Sequence, residues 1–501
     1  MDRWFLLAAS VGTVATLGCA STPKPAERAA AAYTPRNGIE AAGPAHQRVE
    51  PIRLALPPAG GSPFNTIRPA SHVSEAANNP PGAMFGPDAA LDELIAFALA
   101  NNPEIQAVHM QAHALAARVP QVRALDDPKL MTTTFLEPIQ TAAGPQEVIL
   151  SISQKLPWFG KRALRGNVAY HKAQAMFALI AAAELAAVEQ VKIAYYELYF
   201  LDRAIDVNKE LELRLRDVIE IAKLKYETAG EKTGLETVLQ AQVELAQLQT
   251  IFVQLEQAKA NANTQLAKAL HAPPGVSLEL APSIRDGHVP SSADVLLALI
   301  DQCQPKLDAL RREMNHDQAA IALANKNYYP DVTVGFNWHA IGPTGLSPIA
   351  TGDDVYALIV GVNLPIYRYK LNAGLREAEF KAAHTSQMYA AAWNDVRAEV
   401  QTLHAQAVEH DRIVKILNDD ILPKSRQTLD LSIEAYRVDR ITFQQLIDNY
   451  KTLLRHRLDY YRRLSHLEQT LATLERAVGC AITTWPIELE EIPAGVMMYD
   501  P

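Results

Sequence analysis

Helical spacing of apolar residues dominates the middle of the chain. The stretch Ala163–His271 contains no proline, and its only glycines are Gly166, Gly230 and Gly234. Alanine, leucine, glutamate, glutamine, lysine and valine fill it, mostly strong helix formers. The close pair Gly230 and Gly234 reads as a tight reversal. The pattern therefore predicts two long antiparallel helices joined at a tip near residues 229–234. The first arm, 163–228, would be about 100 Å long at roughly 1.5 Å per residue. In the second arm Ala241, Leu248, Leu255, Ala262 and Ala269 recur every seven residues, with Val238, Leu245 and Phe252 offset by three. A sustained heptad of this kind predicts coiled packing against neighbouring helices.

The same order of signals occurs twice. From Ala89, Leu91, Leu94, Ile95, Ala98 and Leu99 form an amphipathic helix that stops at Asn102-Pro103-Glu104; a second helix follows to about Ala124 and breaks at Asp126-Asp127-Pro128. Two strand-like runs come next, Met131–Glu137 and Glu147–Ser153, and then Leu156-Pro157-Trp158-Phe159-Gly160-Lys161 leads into the long hairpin. Further on, Leu296, Leu299 and Ile300 precede Gln304-Pro305, Tyr329-Pro330 precedes a strand run, and Leu364-Pro365-Ile366-Tyr367 ends a second one. A second helical hairpin follows, with its tip at Tyr436–Thr442. Pro103 and Pro305 stand 202 positions apart, as do Pro128 and Pro330, and Pro157 and Pro365 stand 208 apart. A nearly constant offset shared by ordered landmarks is a duplication. The final arm is heptadic again through Leu446, Leu453, Tyr460, Leu467 and Leu474, with Tyr450, Leu464, Leu471 and Val478 alongside. Pro423 has no counterpart in the first copy and predicts a kink or break.

The strand runs carry a second periodicity. Val332, Val334, Phe336 and Trp338 share one face, while Thr333, Gly335, Asn337 and His339 share the other. This apolar-out, polar-in alternation suits a membrane barrel wall, and about nine residues suffice to cross when tilted. Alternation alone favours a half-buried hairpin in a soluble domain. Closure decides what a spanning reading would require. Four strands cannot close a barrel, and lipid tolerates no open sheet edge. Three chains would supply twelve strands, enough to leave a channel.

Composition narrows the alternatives. The chain has 501 residues, a formal net charge of −9 and 21% charged residues, so charge does not mark it as a nucleic-acid binder. Mean hydropathy is −0.07, and no apolar run of about 20 residues lies beyond the N-terminus, which excludes a helical membrane bundle. Arg3 and the apolar run to Leu17 read as a secretory signal over residues 1–18. Its end, Thr16-Leu17-Gly18-Cys19-Ala20, resembles the bacterial lipoprotein cleavage box, departing at Thr16 where leucine is usual. That likeness implies lipidation of Cys19, and Ala20 after it favours the outer membrane. Residues 19–87, rich in Ala, Pro, Gly and Ser, read as an extended tether. Cys303 and Cys480 are open to two readings: a disulfide in an oxidising compartment, or, more plainly, two buried free thiols.

Taken together, the duplicated unit, Asn102-Pro103-Glu104, Leu156-Pro157, Leu364-Pro365 and the two tips resemble the outer membrane factor family of tripartite efflux systems, the TolC-like channels, over about residues 88–480. The short strand connections and Cys19 are similar to its lipidated branch. The resemblance implies an α+β, mostly α fold: a homotrimer with a 12-stranded membrane β-barrel continued by a long periplasmic α-helical barrel. On that reading residues 88–286 are the first repeat, 287–480 the second and 481–501 a tail. It also implies a passive duct in the outer membrane whose tips meet a periplasmic adaptor, with an inner-membrane pump driving export. By position the adaptor contacts fall on Gly234 and Leu235 in the first copy, and on Thr442 and Phe443 in the second. A pore constriction near the second tip falls on Asp448, with Gln445 where the family has a second acidic ring, and Tyr436 at the position of a gating tyrosine. Three copies of Asp448 around an axis would repel one another and attract cations.

No phosphate loop, nucleophilic triad or paired-cysteine motif is present, so neither an enzyme nor a resident cofactor is expected beyond the lipid on Cys19. His109 and His113 have a spacing that can bind metal, but no third ligand stands nearby in sequence, and no metal site is assigned. Two other classes remain: a lipid-anchored periplasmic adaptor, which needs one hairpin and several small β domains, and an envelope scaffold without a pore, which needs no membrane strands.

Overall fold

The computed structural model describes residues 90–229, 232–272, 289–290, 292–343, 352–438 and 440–482. The signal, Cys19 and the tether lie outside them. The element order is α1 (Leu91–Asn101), α2 (Pro103–Arg123), β1 (Lys129–Gln140), β2 (Pro145–Leu156), α3 (Lys161–Ala229) and α4 (Lys232–Ala269). It repeats as α5 (Ala293–Cys303), α6 (Pro305–Lys326), β3 (Val332–Ile341), β4 (Val355–Val362), α7 (Arg368–Ile416), a π turn (Leu417–Ile421), α8 (Leu422–Arg437) and α9 (Phe443–Val478). Among the described residues no helix is long and apolar enough to cross a membrane.

The short helix pairs are joined in the same way in both copies. Asn102 Oδ1 accepts from the Glu104 backbone N–H at 2.8 Å and caps α2, whose first residue is Pro103. The Gln304 side chain accepts from the Lys306 N–H at 3.2 Å and caps α6, which begins at Pro305. A proline at the first helical position loses no internal bond, and the cap meets an amide that would otherwise go unpaired. These joints place the buried Leu94 and Ala98 of α1 against α3, and Leu296 and Ile300 of α5 against α7 and α9.

The long helices follow the heptads. Val238, Ala241, Leu248, Ala262 and Ala269 of α4 are buried, as are Leu446, Tyr450, Leu464, Leu467, Leu471, Leu474 and Val478 of α9. Full burial of a leucine contributes about 1.5–3 kcal/mol. Helix α3 packs on α4 of its own copy and on α9 of the other. Charged pairs line the second seam, Arg462 to Glu197 at 2.8 Å and Lys192 to Glu475, and Lys451 of α9 reaches Glu244 of α4 at 2.6 Å. The Ser465 hydroxyl donates to the Tyr196 carbonyl at 2.8 Å inside it.

Pro423 does not break its helix. The backbone stays in the right-handed helical region, and the preceding turn widens so that the Leu422 N–H reaches the Leu417 carbonyl. A π turn makes room for a pyrrolidine ring that would otherwise clash with the carbonyl four residues back. The helical run 368–437 thereby matches α3 in length.

All four strands form one antiparallel sheet in the order β1-β2-β3-β4. The turn between β1 and β2 closes through Thr141 and Gly144, whose amides each donate to the other's carbonyl, at 3.0 and 3.2 Å. Gly144 has φ +140°, and a Cβ there would lie 2.1 Å from the Gly342 carbonyl oxygen, so only glycine fits.

Candidate channel wall and tip

Register turns the alternation into two faces. Leu130, Ile152, Phe336 and Leu358 stand opposite one another across all four strands, and Thr132, Leu150, Trp338 and Tyr356 form the next row. Val334 pairs with Val360, and Val332 with both Leu156 and Val362, on the same face. Many of these side chains are exposed in the protomer, including Leu130, Ile152, Phe336, Tyr356, Leu358 and Val360. The opposite face is mixed: Ser151, Ser153, Lys155, Thr333, Gly335, Asn337 and His339 share it with Ile149, Ala357 and the exposed Val355 and Ile359. An apolar face in the open beside a more polar, mixed one suits lipid on one side and water on the other. Among the described residues the strands β1 and β4 are each paired on one side only.

The sheet is fastened to the helices at Asp331, the residue before β3. Asp331 is 7% exposed and Lys161 is 4% exposed. The Lys161 ammonium donates to Asp331 Oδ1 at 2.7 Å and to the Tyr329 carbonyl at 2.9 Å. The Trp158 backbone N–H donates to the same carboxylate oxygen at 3.0 Å, and Lys155 lies 3.4 Å from the other. The Asn363 side chain accepts from the Asp331 N–H, and the Trp158 ring stacks on Tyr329 at 5.5 Å. Burial works to raise the Asp331 pKa, but the Lys161 hydrogen bond, the Trp158 amide and the two lysine charges prevail and hold it below the ordinary carboxylate value. This clamp joins Trp158-Phe159-Gly160-Lys161 of the first copy to Tyr329-Pro330-Asp331 of the second. Both segments stand out in the sequence as landmarks, but nothing there marks Lys161 and Asp331 as partners.

At the second tip, Thr442 opens α9 with a capping box. Its hydroxyl accepts from the Gln445 N–H at 3.3 Å, while Gln445 Oε1 accepts from the Thr442 N–H at 3.0 Å. Replacing Thr442 by alanine is expected to cost about 1 kcal/mol. It should also raise hydrogen exchange at the Gln445 amide selectively over mid-helix amides of α9.

Placement separates the tip residues expected from the sequence. Phe443 is 6% exposed and Tyr436 is 8% exposed. Their rings lie 6.3 Å apart in a cluster with Leu215, Ile219, Ala241, Leu429, Leu446, Ile447 and Tyr450. Within one protomer these two side chains build the tip rather than face outward from it. Gln445 is engaged in the cap. Asp448 is exposed one turn further along, with the Gln444 amide donating to it at 3.1 Å. Gly234 and Leu235 fall in the first turn of α4; residues 230–231, the turn before it, lie outside the described residues, as does Cys19. His113 sets its ring edge-on against Phe177 at 5.6 Å, and no group of three or more metal-ligating side chains occurs among the described residues.

Comparison with known proteins favours the channel reading over the other two. The family described as Outer membrane efflux protein matches residues 94–271. Over that segment the chain resembles the outer membrane efflux proteins. A cobalt-zinc-cadmium resistance protein, CzcC of Cupriavidus metallidurans, is 20% identical over 395 residues, covering 78% of this chain and 90% of the relative. Among solved structures, CusC, studied for its folding and transmembrane channel formation, superposes with a TM-score of 0.65 at 16% identity, over 78% of this chain and 92% of CusC. The outer membrane protein VceC of Vibrio cholerae gives 0.63 at 18% identity, over 78% and 96%. At such identities the structural likeness is one of fold, and that fold is the duplicated helix–strand–strand–helix unit of the outer-membrane efflux channels. The matched segment 94–271 runs from α1 to the end of the first hairpin. The family is one of transport channels rather than enzymes.

Proposed function

We propose that three copies of this chain close a twelve-stranded barrel in the outer membrane and continue it into the periplasm as a helical duct. The duct is passive: it receives cargo from an inner-membrane pump through an adaptor that docks at the hairpin tips, and Cys19 carries the lipid that anchors each protomer. The observation that carries this reading is the sheet. Among the described residues it has four strands, an exposed apolar face crossing all of them, and a strand paired on one side only at each end. Such edges cannot remain open in lipid, and further copies of the same sheet satisfy them. Neither a scaffold nor an adaptor would need that face.

Asp448 is the acidic side chain that we place at the periplasmic constriction, set outward by the Thr442–Gln445 cap and the Tyr436–Phe443 cluster beneath it. The name of the matched relative, a cobalt-zinc-cadmium resistance protein, supports metal cations as a cargo class, and a ring of three carboxylates would favour their passage. The test is conductance of the purified protein in a planar bilayer. Defined single-channel steps with cation preference are expected, and Asp448→Asn should lower that preference several-fold while leaving trimers intact. Folded trimers that never conduct would remove the duct. Conducting trimers whose selectivity ignores Asp448→Asn would remove that residue from the constriction.

A further inference from the structure

The end of α9 is seated on the joint between α5 and α6 by contacts that hold two cysteines together. Gln304 Nε2 donates to the Ala477 carbonyl at 2.6 Å. Gly479 takes the left-handed conformation at φ +98°, and a Cβ there would lie 2.6 Å from the Cys303 carbonyl oxygen and 2.7 Å from Gln304 Cα. Backbone thus lies directly on backbone, with Cys303 on one side and Cys480 on the other. Both side chains are half-buried thiols within hydrogen-bond reach of each other, and Cys480 packs on the core cluster formed by α5, α7 and α9.

We propose that Cys303 and Cys480 are joined as a disulfide in the exported protein, a covalent staple that closes the second repeat onto its own first helix. The proposal rests on the periplasmic placement above, because disulfides persist there and not in a reducing cytoplasm. The oxidant is a protein or small-molecule disulfide. The Cys303 thiolate attacks one sulfur of it, forming a mixed disulfide and displacing the other sulfur as a thiolate. Cys480 gives up its proton and attacks the Cys303 sulfur, releasing the oxidant's second thiolate. Two electrons and two protons have then passed to the oxidant. The order of attack follows from the surroundings. The hydrogen bond with Cys480 lowers the Cys303 pKa against the opposing effect of burial. The same bond, burial and the nearby Glu475 carboxylate raise that of Cys480. Gln304 and Gly479 already hold the element ends together, which brings the two cysteines to one place before the bond forms. It encloses residues 304–479, a long loop, and long loops gain most from a cross-link in the chain-entropy account.

The test uses the full-length protein purified in detergent, reduced, and then exposed to oxidised glutathione before alkylation and peptide mapping. The expected product is a linked peptide pair containing Cys303 and Cys480, lighter by two hydrogens and carrying no glutathione. Glutathione adducts on both cysteines, or two alkylated thiols, would overturn the proposal. Cys480→Ser should trap Cys303 as a stable glutathione adduct, and an unmodified Cys303 in that variant would overturn its role as the attacking thiol. In cells whose thiols are alkylated before lysis, the exported protein should yield the linked pair; alkylated Cys303 and Cys480 would overturn it. Reductant should lower the melting temperature of the native protein and leave that of the Cys303→Ser/Cys480→Ser variant unchanged. None of these readouts depends on conductance, so failure of the duct and failure of the staple are separate results.

Discussion

Phe336→Arg is expected to abolish stable trimers in the outer membrane, whereas Asn337→Arg, one residue along the same strand, is expected to leave them assembled. Phe336 is the fifth of ten residues in β3 and lies in the row Leu130–Ile152–Phe336–Leu358. Its ring is exposed in the protomer and stacks on Tyr356 of β4 at 6.1 Å. If this face meets lipid, an arginine near mid-strand costs about 2–4 kcal/mol per copy. A trimer carries three, so the penalty reaches about 6–12 kcal/mol, comparable to the whole stability of an ordinary domain. Asn337 belongs to the row with Ser151 and Ala357 on the opposite face, where a charge would sit in water and alter ion selectivity instead. The measurement is the amount of heat-modifiable trimer in the outer-membrane fraction. Equal assembly of both variants, or the reverse order, would show that the faces are assigned wrongly and that the apolar side is covered by protein.

The faces, the heptads and the duplication were legible in the sequence because each is a periodic signal spread over many residues. Val332, Val334, Phe336 and Trp338 state their face by alternation, and burial of Ala241, Leu248, Leu467 and Leu474 follows from spacing alone. Strand ends were not legible. The expected runs Met131–Glu137 and Glu147–Ser153 are extended to Lys129–Gln140 and Pro145–Leu156. The additional residues include Lys129, Gln140, Pro145 and Lys155, which join the ladder through backbone pairing that side-chain hydrophobicity does not encode. Pro423 announced a disturbance but not its form, since a break and a π turn begin from the same lost hydrogen bond. At the tip, family position located Tyr436 and Phe443 correctly along the chain but carried no information on which way their rings turn. Their place in the cluster depends on Leu215 and Ala241 from the other hairpin. The Lys161–Asp331 clamp was the least legible feature. Its partners are 170 positions apart, and a lone lysine or aspartate in a polar context is ordinarily a surface residue.

Asp331→Asn provides the second large effect, and its sign can be derived from the clamp. Asparagine keeps the shape of the side chain but removes the charge, leaving the Lys161 ammonium buried beside the Tyr329 carbonyl with no anion. Removing one member of a buried pair costs about 3–5 kcal/mol, far more than the pair contributes relative to an apolar replacement. The thermal stability of the detergent-solubilised protein should therefore fall markedly at neutral pH. Lys161→Met combined with Asp331→Asn should recover much of the loss, since the uncompensated charge goes with the lysine. The pH profile gives an independent check. The folded-state pKa of Asp331 is held below its unfolded value by Lys161, the Trp158 amide and Lys155. The stabilisation is therefore complete above the unfolded carboxylate pKa of about 3.9. It is lost as pH falls through the lower, folded pKa. The native protein should lose stability in that acid window, and the Asp331→Asn protein should lack this component of the loss. A variant as stable as the native protein at neutral pH, or one with the same acid profile, would mean that the carboxylate does not hold the sheet to the helices. The joint would then depend on the stacked Trp158 and Tyr329 rings and on apolar packing alone.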